Sequence, residues 1–357
     1  MARVAPWRCG LADVAVIGGG IVGCALAAFL AEGGASVTLH ERETLAAGAS
    51  GRNSGIVQHP MDTVLAPLFH ETVQHYRDLA SFGFALPEEP AGLLVLGTDE
   101  AALDAELAAL GREFGELGAE RLAPGEPHAL EPVVAPELAG LRMATGFTVP
   151  PAEATLAFAR RAKAAGARVR VGSPATPAGV RADVVVVAAG PWTPALVDPT
   201  GSWRPITALW GVNVELRLPE PPRHALEEAG IDALLAAGGG EDGLFALVTA
   251  GQVSSLGATF LPDEPDAAAR APRLQARGAR FVPVLGRTPI VSVRACARPR
   301  SVDGRPLLGR RGDLVVAAGH GAWGISLGPA SARLVADQVL GREPAIPPAL
   351  DAARFDA

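Results

Sequence analysis

One lysine, Lys163, and one tyrosine, Tyr76, are all that 357 residues contain of either type. Positive charge is therefore carried almost wholly by arginine, and Schiff-base chemistry has a single place to reside. Aromatic residues make up only 5% of the chain, and the net charge of −7 argues against binding nucleic acid or an anionic membrane, which need a basic surface. The three cysteines, Cys9, Cys24 and Cys296, are too few and too widely spaced for a disulfide framework or a zinc site. A reduced setting is the expectation. No apolar run reaches the ~18 residues needed to span a bilayer without charge or glycine breaks. Arg3 and Arg8 precede an apolar run, as in a signal peptide, but three glycines end that run and no cleavage site fits. A cytoplasmic protein with no integral membrane segment and no nucleic-acid partner is expected.

What is present is aliphatic and alanine-rich, and the chain is long enough for two lobes. Asp13–Ile17 is a short apolar strand ending in Gly18-Gly19-Gly20, Ile21–Glu32 has helical periodicity, and Ser36–His40 closes a βαβ unit on Glu41-Arg42-Glu43. Helices are expected at 63–79, 99–117, 152–165, 263–286 and 325–340. Strands are expected at 92–97, 167–171, 183–189, 211–218, 244–249 and 314–318, with 183–189 apolar throughout, as in a buried parallel strand. Residues 121–151 read as irregular, and 236–240 as a low-complexity loop.

Gly18, Gly20 and Gly23 have the G-x-G-x-x-G spacing between a strand and a helix. The first glycine permits a tight turn, the second admits a pyrophosphate against the backbone, and the third lets helix and strand pack closely. Ile21 and Val22 begin a helix whose N-terminus favours anions. Glu41 ends the second strand roughly twenty residues on, where a carboxylate accepts from a ribose hydroxyl and repels a 2′-phosphate. Two further stretches separate FAD from NAD. Residues 47–55, AGASGRNSG, supply hydroxyl and backbone donors from Ser50 to Gly55. Residues 315–328, VVAAGHGAWGISLG, run from a strand through a glycine turn to a second helix start, which suits the flavin edge that gains negative charge on reduction.

With those segments, the 182–192 run ADVVVVAAGPW and the 298–309 run RPRSVDGRPLLG, the chain resembles the FAD-dependent D-amino-acid oxidase family, which includes glycine oxidase, sarcosine oxidase and D-amino-acid dehydrogenase. The resemblance implies an α/β (α+β overall) fold: a Rossmann-like FAD-binding domain from 10–88, 145–200 and 296–345, and a mostly antiparallel-sheet substrate domain from 89–144 and 201–295. Residues 346–357 are left as a C-terminal tail. The expected FAD contacts are Gly18, Gly20, Ile21, Val22, Gly23, Glu41, Arg42, Ser50, Arg52, Asn53, Ser54, Gly55, Val171, Ala189, Gly190, Trp192, Cys296, Gly321, Trp323, Gly324 and Ile325. In the family an arginine five residues before the aspartate of the D-G-x-P turn grips the substrate carboxylate, and here that position is Arg298. A cysteine two residues earlier is flavin-linked in sarcosine oxidases; Cys296 occupies it, although a buried cysteine in a strand is equally consistent with the residue type.

The departures are in the substrate lobe. Family members place tyrosines around the substrate, and this chain has only Tyr76, outside that lobe. Asn213, Thr249, Gln252, Ser254 and Ser255 are its polar candidates, and Trp210, Phe245 and Phe260 its apolar walls. The 169–180 segment is short, so Val171 stands in for the family valine against adenine. His59 follows the GRNSG loop and could serve as a base; His320 is expected to turn near the cofactor. His70 and His75, five apart on a helix, do not share a face, so no metal is expected, and nothing resembles a Ser–His–Asp triad.

The expected reaction is oxidation of the CH–N bond of an amino acid or N-substituted amino acid, by hydride transfer to flavin N5, giving an imine and then a keto acid. The expected partners are a carboxylate-bearing amine and oxygen or another electron acceptor. Two alternatives stand beside it: a 2-hydroxy-acid dehydrogenase, which needs a base such as His59, and a partner-dependent electron-transfer subunit.

Overall fold

The computed structural model describes residues 12–230 and 243–356. Cys9 and the 236–240 segment lie outside the described residues.

A six-stranded sheet has the order Leu307–Arg311, Leu314–Ala318, Val184–Val187, Asp13–Ile17, Ser36–His40, Arg168–Arg170. Every neighbouring pair is parallel except the first, an edge hairpin. Central Asp13–Ile17 is buried from Val14 to Ile17, as a strand covered on both faces must be. Helix Ile21–Glu32 is buried at every residue from Ile21 to Ala31. It packs against Glu153–Ala164 and Gly324–Val339, so its surroundings are apolar all round.

The second sheet has eight strands in the order Ile290–Ser301, Ile206–Leu216, Val253–Gly257, Ala246–Ala250, Ala225–Glu228, Leu93–Gly97, Ala139–Met143, Glu120–Leu122. One neighbouring pair, Ala225–Glu228 with Leu93–Gly97, is parallel and the rest antiparallel. Helices Glu100–Glu113 and Ala267–Gly278 pack on it. Each is capped by an aspartate, Asp99 or Asp266, that accepts from a backbone N–H three residues on. This is the mixed α/β architecture the sequence implied.

Several expectations need correcting. Residues 121–151 are not irregular: they hold the end of strand Glu120–Leu122, the strands Ala139–Met143 and Phe147–Thr148, and the short helix Glu126–Leu130. Residues 263–286 split into helix Ala267–Gly278 and a 3-10 turn, Pro283–Arg287. The boundary at 296 falls within one twelve-residue strand, Ile290–Ser301, paired along its length with Ile206–Leu216. Residues 346–356 dock on the first sheet: Ile346, Leu350 and Ala352 are buried, and Arg354 pairs with Asp303 at 2.8 Å. Among the described residues, no helix is long and apolar enough to cross a membrane.

Candidate active site

A cavity of about 770 Å³ lies where the two sheets meet. That is within the ordinary size range of ligand pockets, roughly 300–1,000 Å³. One end is built on the glycine turn. Gly18 has φ +116°, and a Cβ there would sit 2.4 Å from Ala188 O; a Cβ on Gly23 would sit 1.9 Å from Gly18 O. The turn therefore fits only glycine at both places, and it brings strand, helix and the Ala188–Ala189 segment together. Gly18, Gly20, Ile21 and Val22 line the cavity, whereas Gly23 supports the turn from behind.

Glu41 lines the cavity beside this turn. Its Oε2 accepts from Gly19 N–H at 2.7 Å and its Oε1 from Glu43 N–H at 2.8 Å. Each carboxylate oxygen has a further lone pair for a ribose hydroxyl. Ser50 Oγ accepts from Ile21 N–H at 2.9 Å. The short helix Ala49–Arg52 thus sits against the first helix N-terminus. It is tied to the second sheet through Arg52 O, which accepts from Asn213 Nδ2 at 2.8 Å and Arg294 Nε at 3.2 Å. Asn53 Nδ2 donates back to Ala49 O and Ser50 O, which closes that turn.

The start of helix Gly324–Val339 faces the same cavity: Gly321, Gly324 and Ile325 line it, as do Ala189, Gly190, Trp192, Arg42, Ser50, Arg52, Asn53 and Cys296. Two long helices, of twelve and sixteen residues, therefore direct their positive ends into one cavity. Tyr76, buried, fixes the second of them by donating its hydroxyl to Ile325 O at 2.5 Å. The fit to FAD is consistent on two counts: the two helix ends, and a buried His320 Nε2 on the cavity wall without a hydrogen-bond partner. Burial pushes the His320 pKa down to about 4, so the ring is neutral at pH 7.

Arg298 lines the opposite end. Leu209 pairs with Arg298 across the strand pair and Gly211 with Cys296. Residues two apart on a strand share a face, which places Cys296 and Arg298 together. Arg298 Nη1 donates to Thr259 O at 2.8 Å, and the guanidinium lies 4.9 Å from the Phe260 ring centre. A Cβ on Gly211 would approach both Nη atoms to 2.4 Å, so glycine leaves the room the guanidinium occupies. Among the described residues no carboxylate forms an ion pair with it. Burial lowers its pKa from the ordinary arginine value, but a guanidinium remains charged. Trp210 also lines this end, and so does Glu264, a residue for which the sequence carried no signal.

Six expected contacts are not brought to the cavity wall, and Gly23 is the first of them. Val171 is 55% exposed. The chain turns at Gly172, whose N–H donates to Glu43 O at 2.9 Å, and Ser173 N–H donates to Glu41 O at 2.8 Å. This contraction turns Val171 outward and puts Pro174, Ala175 and Thr176 on the wall. Ser54 and Gly55 continue the frame instead: Gly55 N–H donates to Asn53 Oδ1 at 2.8 Å and Gly55 O accepts from Val149 N–H. Trp323 packs against the core of the first lobe. His59 is wholly buried away from the wall; its backbone N–H donates to Thr145 Oγ1 at 2.8 Å, and Phe69 and Phe114 flank the ring.

The polar candidates of the second lobe serve the sheet. Thr249 and Ser254 bond to each other at 2.8 Å, Ser255 accepts from Arg294 at 3.3 Å, and Gln252 sits in the exposed turn between their strands. Phe245 stacks on Phe281 in the core.

The chain matches the DAO family model, described as FAD dependent oxidoreductase, over residues 13–338. It is 30% identical to a glycine oxidase of Geobacillus kaustophilus (strain HTA426), with 93% of this chain and 94% of that protein aligned. The crystal structure of glycine oxidase from Geobacillus kaustophilus superposes with a TM-score of 0.81 at 27% identity, covering 96% of this chain and 97% of that one. L-proline dehydrogenase from P. horikoshii has the same fold, with a TM-score of 0.80 at 21% identity and 99% of each chain covered.

Proposed function

Because the chain belongs to the DAO family of FAD-dependent oxidoreductases, we propose that it oxidises the CH–N bond of an amino acid or N-substituted amino acid. The observation that carries this reading is Arg298: a guanidinium on the cavity wall with one carbonyl partner and no acidic one among the described residues. Its unused donors match a carboxylate, which it can grip through two parallel bonds.

When bound, FAD supplies the two-electron acceptor. Gly18, Gly20, Ile21 and Val22 would hold the pyrophosphate, Glu41 a ribose, and the start of helix Gly324–Val339 the flavin ring. The chain does the rest by placement. Arg298 fixes the carboxylate and with it the direction of the Cα–H bond. Phe260 packs against the guanidinium, and Trp210 stands on the same cavity wall. His320, neutral at pH 7, adds no second positive charge beside the substrate amine. The substrate loses two electrons and two protons, becoming an imine, and water hydrolyses that to a keto acid and ammonia or an amine. An amine that arrives neutral needs no strong protein base. A 2-hydroxy acid does need one, and the residue expected to supply it, His59, is absent from the wall. Oxygen or another acceptor takes the electrons afterwards.

An anaerobic panel of amino acids, N-methyl amino acids and 2-hydroxy acids tests the reading. Bleaching of the flavin band by a carboxylate-bearing amine is expected. Bleaching by hydroxy acids alone would overturn it.

A further inference from the structure

His59, His70 and Glu116 arrive from three parts of the chain. His59 follows strand Ile56–Val57, His70 is on helix Ala66–Arg77, and Glu116 is in the 3-10 turn Gly115–Leu117 beside the second sheet. Their ligand-capable atoms all lie within 4.8 Å of one another. His59 Nε2 is 3.6 Å from Glu116 Oε1, and the two imidazole centres are 5.4 Å apart. None of the three lines the large cavity.

His59 makes the cluster more than a chance meeting of polar side chains. Its side chain is fully buried, and neither ring nitrogen has a hydrogen-bond partner. Leaving buried polar atoms unpaired is costly, so they are almost always satisfied. Phe69 and Phe114, with ring centres 5.2 and 5.6 Å away, offer a ring nitrogen nothing.

We propose that a divalent transition-metal cation with the ligand preference of zinc binds His59, His70 and Glu116 and ties the two lobes together. Two imidazoles and one carboxylate suit zinc rather than calcium or magnesium, which take oxygen ligands. At zinc–ligand distances of roughly 2.0–2.2 Å, tetrahedral ligand atoms stand about 3.3–3.6 Å apart. The His59–Glu116 pair, at 3.6 Å, already has that separation. His70 and Glu116 are exposed. His75, on the same helix as His70, pairs instead with Glu71 at 3.2 Å and serves as an internal control.

The test uses FAD-loaded protein stripped with a chelator, then titrated with zinc chloride in a calorimeter and melted with and without zinc. One zinc per chain and a rise in Tm are expected. His70→Ala and Glu116→Ala, both at exposed positions, should each weaken zinc binding by more than about tenfold, since even partners one shell further out cost that much. Both should abolish the rise in Tm while the flavin spectrum is unchanged. His75→Ala should retain both effects. Failure of the unaltered chain to take up stoichiometric zinc, unchanged zinc affinity in His70→Ala and Glu116→Ala, or equal loss in His75→Ala would overturn the proposal. None of these outcomes depends on which substrate the flavin site accepts.

Discussion

The two ends of the cavity are made of different material. At one end the wall is main chain and small residues: Gly18, Gly19 and Gly20, Ala188 to Gly190, Ala317 and Ala318, Gly321 and Gly324. Backbone N–H groups and two helix ends face the cavity there, present whatever the side chains are, with the Glu41 carboxylate beside them. At the other end the wall is side chains carried by one antiparallel strand pair, with Trp210 from one strand and Cys296 and Arg298 from its neighbour. At its glycine turn the first end has no room for a Cβ at Gly18 or Gly23. The second depends on one guanidinium, and its identity as a site rests on what that group is free to hold.

The contrast can be broken at its rigid end first. Gly23→Ala forces a methyl group to within 1.9 Å of Gly18 O. Overpacking of this kind costs about 1–3 kcal/mol or more, and the glycine turn must move. The purified variant is expected to have lost most of its flavin absorbance, and full flavin content would refute the packing argument.

His320, at the junction of the two ends, gives the next effect. Its pKa falls from 6.5 when unfolded to about 4 when folded, through burial. Between those values the unfolded chain binds a proton that the folded chain refuses. Stability should therefore fall as pH drops from 6.5 towards 4, by up to about 3 kcal/mol from this residue. Urea unfolding across that range would measure it, and a His320→Gln variant with an equally steep decline would contradict it.

Gly211→Ala probes the side-chain end. Its methyl would crowd both Nη atoms of Arg298, which lie at the far end of a flexible chain and can yield. Flavin content and Tm should hold, while KM for a carboxylate substrate rises about tenfold, the equivalent of roughly 1.4 kcal/mol. Steady-state kinetics on the flavin-loaded variant would show it; an unchanged KM would mean that this guanidinium position is immaterial. The smallest effect is expected at Val171, 55% exposed. Val171→Asp should change stability by less than about 0.5 kcal/mol and leave FAD affinity untouched in a fluorescence titration. Weakened FAD binding would restore the adenine contact that the sequence suggested.

The same contrast decides what could be read from the sequence. The main-chain end announces itself through glycine spacing, because only glycine fits at Gly18 and Gly23, and its strands alternate with helices in plain order. Strands Asp13–Ile17, Ser36–His40 and Leu314–Ala318 stand where the pattern put them. The second sheet is harder to read. Its longest strand, Ile290–Ser301, has no alternation of buried and exposed residues, since one stretch of it borders the cavity, and it carries Pro299 and three arginines. Residues 121–151 conceal parts of three short strands, Glu120–Leu122, Ala139–Met143 and Phe147–Thr148, and a helix, Glu126–Leu130, that carries Pro127. Arg298 was legible only through its offset from Asp303, which resemblance supplied. Val171 stands off the cavity wall because a local contraction turns the chain, and His59 because a loop residue's depth depends on what packs over it, here Phe69 and Phe114. Glu264 left no trace in any pattern.

Arg298→Ala puts the central claim to its most direct test. The variant should keep its flavin, because the cofactor end owes nothing to this side chain. Anaerobic flavin bleaching by the carboxylate-bearing amine that reduces the unaltered protein should slow by about 100-fold or more, the cost of removing one partner of a buried charge pair. Bleaching at an unchanged rate, with flavin content intact, would contradict the assignment of Arg298 and the amine-oxidising reading built on it.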